Sequence, residues 1–270
     1  MHEEEQLIAV SPRHAVRLAS EYVDLVAHAP SRDFLVRTIA RREANGMPLM
    51  SADIVIAGAP TREAFPRAQL YPLHFRKTYY PGRLHGDPKG EFDRQTEAAA
   101  LIGIPEPIGH TPDTFRTCLL VGTPYARLSP LDVQPEESQL RHARELGLAA
   151  AAGLFRFIES AFANLVALHE GGLAHGDAEL HNFIVCPSPL ETLLIDFEAA
   201  ARKDATTGDA WEKLLVTDLD PLLHEAVLLQ CCLGPQPGRL AVTARASVDR
   251  LFAAPDPFRR EMERGASRPV

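Results

Sequence analysis

Asp177, Asn182 and Asp196 are the residues whose types and spacing point most directly to chemistry. The stretch His175-Gly-Asp-Ala-Glu-Leu-His-Asn182 is followed, after two short apolar runs, by Leu194-Ile-Asp-Phe-Glu198. Phe183-Ile-Val185 and Leu193-Leu-Ile195 have the make-up of two strands, and Cys186-Pro-Ser-Pro-Leu-Glu191 supplies turn residues between them. A hairpin of that kind brings two carboxylates and an amide to one edge. Oxygen ligands without thiolate or imidazole partners suit Mg²⁺, a hard ion that also takes phosphate oxygens from a substrate.

These residues, with Ala167-Leu-His169 leading in on a helix, resemble the protein-kinase-like phosphotransferases. His-Gly-Asp-x-x-x-x-Asn and Asp-Phe-Glu stand where that superfamily has its catalytic loop and its metal-binding Asp-Phe-Gly. The resemblance is to the atypical or minimal branch: aminoglycoside phosphotransferases, lipopolysaccharide kinases and RIO- or Bud32-like kinases. It implies an α+β fold of two lobes, a β-rich small lobe and a reduced, mainly helical large lobe. The expected divisions are a helical N-terminal extension over 1–50, the small ATP-binding lobe over 51–122 and the catalytic lobe over 123–270. Asp177 would accept or orient the proton of an attacking hydroxyl, and Asn182 and Asp196 would hold Mg²⁺ against the phosphates of ATP. His175-Gly176 lacks the arginine that pairs with a phosphorylated activation loop, so regulation of that kind is not expected.

Several elements must position this set. Asp53-Ile-Val-Ile56 reads as a strand ended by Gly58-Ala-Pro60. The resemblance places a phosphate-covering loop here. The backbone amides from Ala57 to Arg62 could form a cradle at Gly58, although GxGxxG is missing and an ordinary turn fits equally. Leu70 to Tyr80 reads as the strand carrying Lys77, the expected phosphate lysine. Lys89, in the loop-like Gly86-Asp-Pro-Lys-Gly90, is its competitor. Glu91 to Leu101 reads as a helix. Glu97, twenty residues after Lys77, is the preferred ion-pair partner, with Glu91 the alternative. His85-Gly86-Asp87 repeats the central triplet without the asparagine or the strand and reads as a turn. Phe115 to Val121 is a strand. The following Gly122-Thr-Pro-Tyr-Ala126 corresponds to the hinge, where the main chain of Val121 and Thr123 would meet adenine.

Around this core, Ser11-Pro12 opens a helix along Val16, Ala19, Tyr22, Val23 and Val26. A second helix is expected from Ser31, with Phe34, Leu35, Thr38 and Ile39 on one face and Gly46 at its end. From Ser138 a helical region runs to His169, with Phe155, Ile158, Phe162, Leu165 and Leu168 as its apolar face. A later helix begins near Trp211 or near Thr217-Asp218. Asp218, or alternatively Asp220, is the candidate to brace the catalytic loop from its first turn.

The 270 residues suffice for one large domain or two lobes. Apolar residues at 46% and charged residues at 24% describe a folded chain, and a net charge of −8 argues against general nucleic-acid binding. Arginine outnumbers lysine 24 to 4, which makes each lysine conspicuous. Cys118, Cys186, Cys231 and Cys232 show neither CxxC nor zinc spacing. The acidic N-terminus lacks the regions of a signal peptide, and no apolar run is long enough to span a bilayer. A cytoplasmic protein is therefore expected. Its partners would be ATP and a hydroxyl-bearing acceptor, either protein serine or threonine or a small molecule. The alternatives are a pseudokinase that binds ATP without turnover, or a kinase-fold enzyme that transfers AMP.

Overall fold

The computed structural model describes residues 31–80, 87–119, 122–125, 141, 143, 152–187 and 190–232. The chain is mixed α+β and divides into two compact units, Met1–Ala100 with Ile104–Thr123, and Leu101–Gly103 with Pro124–Val270.

The first unit is built on a five-stranded antiparallel sheet. β1 (Phe34–Ala44), β2 (Met47–Ile56) and β3 (Leu73–Tyr79) form a meander, and β4 (Pro107–His110) and β5 (Thr114–Cys118) complete the sheet in the order β1-β2-β3-β5-β4. A short helix, α1 (Ala59–Ala64), and a 3₁₀ turn at Pro66–Gln69 lie between β2 and β3. α2 (Pro88–Ala99) lies between β3 and β4. Side chains alternate across the sheet. Ile54, Ile56 and Leu73 cluster with Leu119, and Val36 and Ile39 pack against them.

The helix expected from Ser31 to Gly46 is β1 instead. Its apolar residues fall at positions that also fit a helix face, but the decisive signal is Asn45-Gly46. Both residues have positive φ, 53° and 76°, the conformation of a tight two-residue hairpin turn. Gly46 therefore reverses a strand rather than ending a helix, and residues 34–50 belong to the sheet. The earlier expected helix, Ser11 to Val26, lies outside the described residues. α2 also starts earlier than expected. Asp87 accepts a hydrogen bond from the Gly90 amide at 2.9 Å, and Pro88 occupies the first helical position, so the supposed loop around Lys89 is the capped start of the helix.

The second unit contains α3 (Ala152–Glu170), the strand pair β7 (Leu173–Ala174) and β10 (Ala201–Arg202), and a three-stranded sheet in the order β6-β8-β9. In that sheet β6 is Thr123–Pro124, β8 is Phe183–Pro187 and β9 is Leu190–Leu194. The hairpin expected around Cys186 is β8–β9, with Phe183 opposite Leu194. The apolar face of α3 is buried at Ile158, Phe162, Leu165 and Leu168; the side chain of Phe155 and most of the chain between Ser138 and Ala152 lie outside the description. The last described element, α4 (Gly208–Cys232), is one helix that continues through Pro221. Asp218 thus sits in its third turn rather than its first. Among the described residues, no helix is long and apolar enough to cross a membrane.

Candidate active site

The loop from His175 to Asn182 is held at both ends by named bonds. Asp218 is fully buried and accepts the His175 amide at 2.7 Å on one carboxylate oxygen and the Gly176 amide at 2.8 Å on the other. His169, on the last turn of α3, places its Nε2 3.0 Å from the same carboxylate. This is the bracing role expected of Asp218. The His175 ring is buried against Phe197. Its Nε2 donates to the Ile195 carbonyl at 2.9 Å, and its Nδ1 takes the Asp177 amide at 3.3 Å. Burial lowers the pKa of this imidazole, so it serves the loop as a neutral hydrogen-bonding group. Gly176 has a φ of +79°, and a Cβ there would come within 2.4 Å of the Ala199 carbonyl oxygen. A side chain at that position, including the arginine of regulated kinases, does not fit this loop.

Asp177 is exposed, whereas Asn182, five residues on, is buried. The Asn182 amide nitrogen donates to the Asp177 carbonyl at 2.8 Å and approaches the Asp177 carboxylate at 3.4 Å. Its Oδ1 is left as the acceptor end of the side chain. The Asn182 carbonyl takes the Ile195 amide at 3.0 Å, which ties the loop to the residue just before Asp196. Asp196 itself has left-handed backbone, φ 67° and ψ 66°. A non-glycine residue in that region is strained by about 1–3 kcal/mol and is found most often where geometry serves function. Asp177 and Asn182 are thus joined within one loop, and the Ile195 bond sets the backbone of Asp196 next to it at the end of the hairpin.

This donor set fits Mg²⁺ better than a transition metal. Among the described residues no group of three or more His, Cys, Asp or Glu side chains is arranged to hold a metal ion. One carboxylate, Asp196, and one amide oxygen, on Asn182, match the sparse protein ligation of Mg²⁺, which completes its shell with water and phosphate.

In the first unit, Lys77 lies on β3 and is 5% exposed. Its Nζ is 3.2 Å from Glu91 Oε1, and Glu91 is 1% exposed. The partner of Lys77 is therefore Glu91, and the preference for Glu97 is corrected. Counting residues along the chain ignores helix phase: Glu97 follows Glu91 by six positions, about 240° around α2, and is partly exposed. Lys89, the competing lysine, makes an exposed i,i+4 pair with Asp93 on the surface of α2. Tyr79, which sequence reasoning does not single out, donates its hydroxyl to Glu91 Oε2.

Gly58 is not free to cradle a phosphate. Its amide donates to Asp33 Oδ1 at 3.0 Å, the Ala57 amide to Pro72 and the Arg62 amide to the Gly58 carbonyl. Pro60 has no amide hydrogen. Glycine is required at 58 because a Cβ would meet the Arg32 backbone at 2.4 Å. Of the expected adenine contacts, Val121 lies outside the described residues. Thr123 begins β6, and the Tyr125 amide beyond it donates to the Phe183 carbonyl at 2.9 Å. No protein-family model matches this chain, and no curated protein matches it.

Proposed function

We propose that this protein is an ATP-dependent phosphotransferase of the two-lobed protein-kinase-like kind, moving the γ-phosphoryl group of Mg-ATP to a hydroxyl acceptor. The observation that carries the reading is the fastening of Asn182 to Asp177 through its side chain and to Ile195 through its carbonyl, beside the left-handed Asp196. A structural acidic hairpin has no need of a buried amide aimed in this way, or of a strained aspartate.

Further support comes from the first unit. Kinases carry a lysine on the third strand, paired with a glutamate on the next helix, and Lys77 and Glu91 have those positions. With the first turn of the sheet now at Asn45-Gly46, a phosphate-covering loop belongs at that hairpin rather than at Gly58. Arg41 and Arg42 are exposed beside it.

In this reading Lys77 holds the α- and β-phosphates and Glu91 orients it. Asp177 accepts or orients the proton of the acceptor hydroxyl. Asn182 and Asp196 would hold Mg²⁺, which would supply neutralisation of charge on the transferred phosphoryl oxygens. The protein's contribution is mainly placement of groups for an in-line transfer.

The test is labelled ATP incubated with the protein alone, with a cell lysate and with a metabolite extract, and products read by mass spectrometry. Label from the γ position on a product supports phosphotransfer. Label from the α position would mean AMP transfer, and no labelled product would mean a nucleotide-binding scaffold. The lysate and extract arms separate protein from small-molecule acceptors. Asp196→Ala should lower turnover by about a hundredfold or more, the scale of losing a charge-stabilising group, with the circular dichroism spectrum unchanged. Full activity in that variant would sink the metal role.

A further inference from the structure

The pair formed by Lys77 and Glu91 has a third member. β3 ends Lys77-Thr78-Tyr79, and strand periodicity puts Lys77 and Tyr79 on the same face. The Tyr79 hydroxyl donates to Glu91 Oε2 while Glu91 Oε1 meets Lys77 Nζ at 3.2 Å, so both oxygens of one carboxylate meet donors from one strand, and Lys77 also hydrogen-bonds the Tyr79 side chain. The Lys77 ammonium also lies 5.2 Å from the centre of the Tyr79 ring, within reach of a cation–π attraction. All three side chains are buried, with Tyr79 at 5% exposure. The end of β3 is itself fixed. The Tyr79 amide donates to the Asp113 carbonyl at 2.8 Å, and the Tyr80 amide to the Leu49 carbonyl at 3.2 Å.

Resting on the phosphotransferase reading, we propose that Tyr79 is a positioning residue that aims Glu91 at Lys77 and so keeps the phosphate lysine in its working orientation. The physical ground is rotational freedom. A glutamate at the start of a helix can swing its carboxylate about three side-chain bonds, and a single contact to a lysine amine leaves much of that freedom. A second donor, on a ring clamped in the sheet, removes it. Burial strengthens both hydrogen bonds and makes the loss of either felt at the other. Because the cation and the group that aims its partner sit two residues apart on one rigid strand, the pair is assembled with the fold.

Tyr79→Phe tests this, since it keeps the ring and its packing and removes only the hydroxyl. The chain has four lysines, so the Lys77 side-chain signal can be assigned by lysine-selective NMR with Lys77→Arg as reference. The expected result is that Tyr79→Phe shifts the Lys77 signal in the same direction as Glu91→Gln. The Lys89, Lys203 and Lys213 signals should stay in place. In the active enzyme, kcat/KM for Mg-ATP should fall about tenfold, equivalent to about 1.4 kcal/mol of transition-state stabilisation, with the larger part in kcat. An unmoved Lys77 signal overturns the proposal, and so does unchanged kcat/KM in an enzyme that turns over ATP. The NMR arm needs no turnover. If the wild-type protein transfers no phosphate while Tyr79→Phe moves the Lys77 signal and has no such effect in a Glu91→Gln background, the functional reading fails and the positioning of Glu91 by Tyr79 stands; an equal shift in that background overturns it.

Discussion

At the scale of single residues, the two candidate lysines show how burial distinguishes a fixed internal ion pair from a surface one. Lys77 has almost no access to water, and a buried ammonium without a carboxylate partner is costly. Its cost is offset by Glu91 and by the Tyr79 ring, an expense that a surface-lining lysine does not incur. Lys89 and Asp93 are exposed, and such an i,i+4 pair contributes about 0.3–0.5 kcal/mol. Lys77→Met, which keeps the stem, should therefore lower kcat/KM for Mg-ATP by about a hundredfold, the scale of losing a charge-stabilising group. Lys89→Met should change it less than twofold. If the loss follows Lys89 instead, the phosphate lysine is misassigned. Chain separation alone favours Glu97 over Glu91 as the partner of Lys77. Separation along the chain is visible in a sequence, but the side of α2 that turns inward is set by where Asp87 and Pro88 start the helix.

At the scale of elements, the loop from His175 to Asn182 depends on α4 for its shape. Asp218 takes two successive backbone amides of the loop and the His169 ring, so α4 and α3 together fix where Asp177 begins. Asp218→Asn keeps the volume and removes one acceptor, turning an N–H toward a backbone N–H. A destabilisation of about 1–3 kcal/mol is expected, the cost of one unsatisfied buried donor. In steady-state kinetics kcat should fall while KM for ATP stays within a few-fold, because in the proposed reading the loop positions the acceptor side of the reaction. Lost stability with kcat untouched would reduce Asp218 to a scaffold residue. Much of this was legible beforehand. The β8–β9 hairpin follows from two apolar runs around Pro187 and Pro189, and the buried face of α3 from 3.6-residue spacing. β1 was not legible by the same route. Phe34, Leu35, Thr38 and Ile39 satisfy a helical face, and a glycine after such a run suits a helix end as well as a hairpin. Only pairing with β2, a contact remote from any local signal, decides between them.

At the scale of the whole molecule, tolerance to acid should depend on two buried neutral imidazoles: His175 in the candidate site, whose pKa burial lowers, and His74 in a polar network of the first unit that has no part in the proposed chemistry. Asp33 accepts from Gly58, Thr61 and Arg116, linking the start of β1 to α1 and β5. Burial alone would raise its pKa, but hydrogen bonds from Thr61 and Gly58 and the Arg116 guanidinium outweigh burial and hold it below the usual carboxylate value. His74 is fully buried, with Nε2 3.0 Å from Arg116 Nη1, an approach that requires a neutral ring accepting at that nitrogen. Burial, reinforced by the Arg116 charge, pushes its pKa down from 6.5 to about 3. The unfolded chain therefore binds a proton at His74 that the folded chain refuses. The stability that His74 contributes is complete above pH 6.5 and is lost as pH falls from 6.5 toward 3. Asp33 adds its loss below its ordinary value of 3.8, as pH drops through its lowered folded pKa. Urea titrations from pH 7.5 to 4 should show wild-type stability declining below pH 6.5, at up to about 1.4 kcal/mol per pH unit from His74. His74→Gln, which cannot take the proton, should make that decline shallower by His74's share, leaving the share of His175, even if it lowers stability at pH 7.5. An equally steep slope in the variant would place the acid-sensitive group elsewhere and would mean that His74 accepts a proton without the first unit giving way.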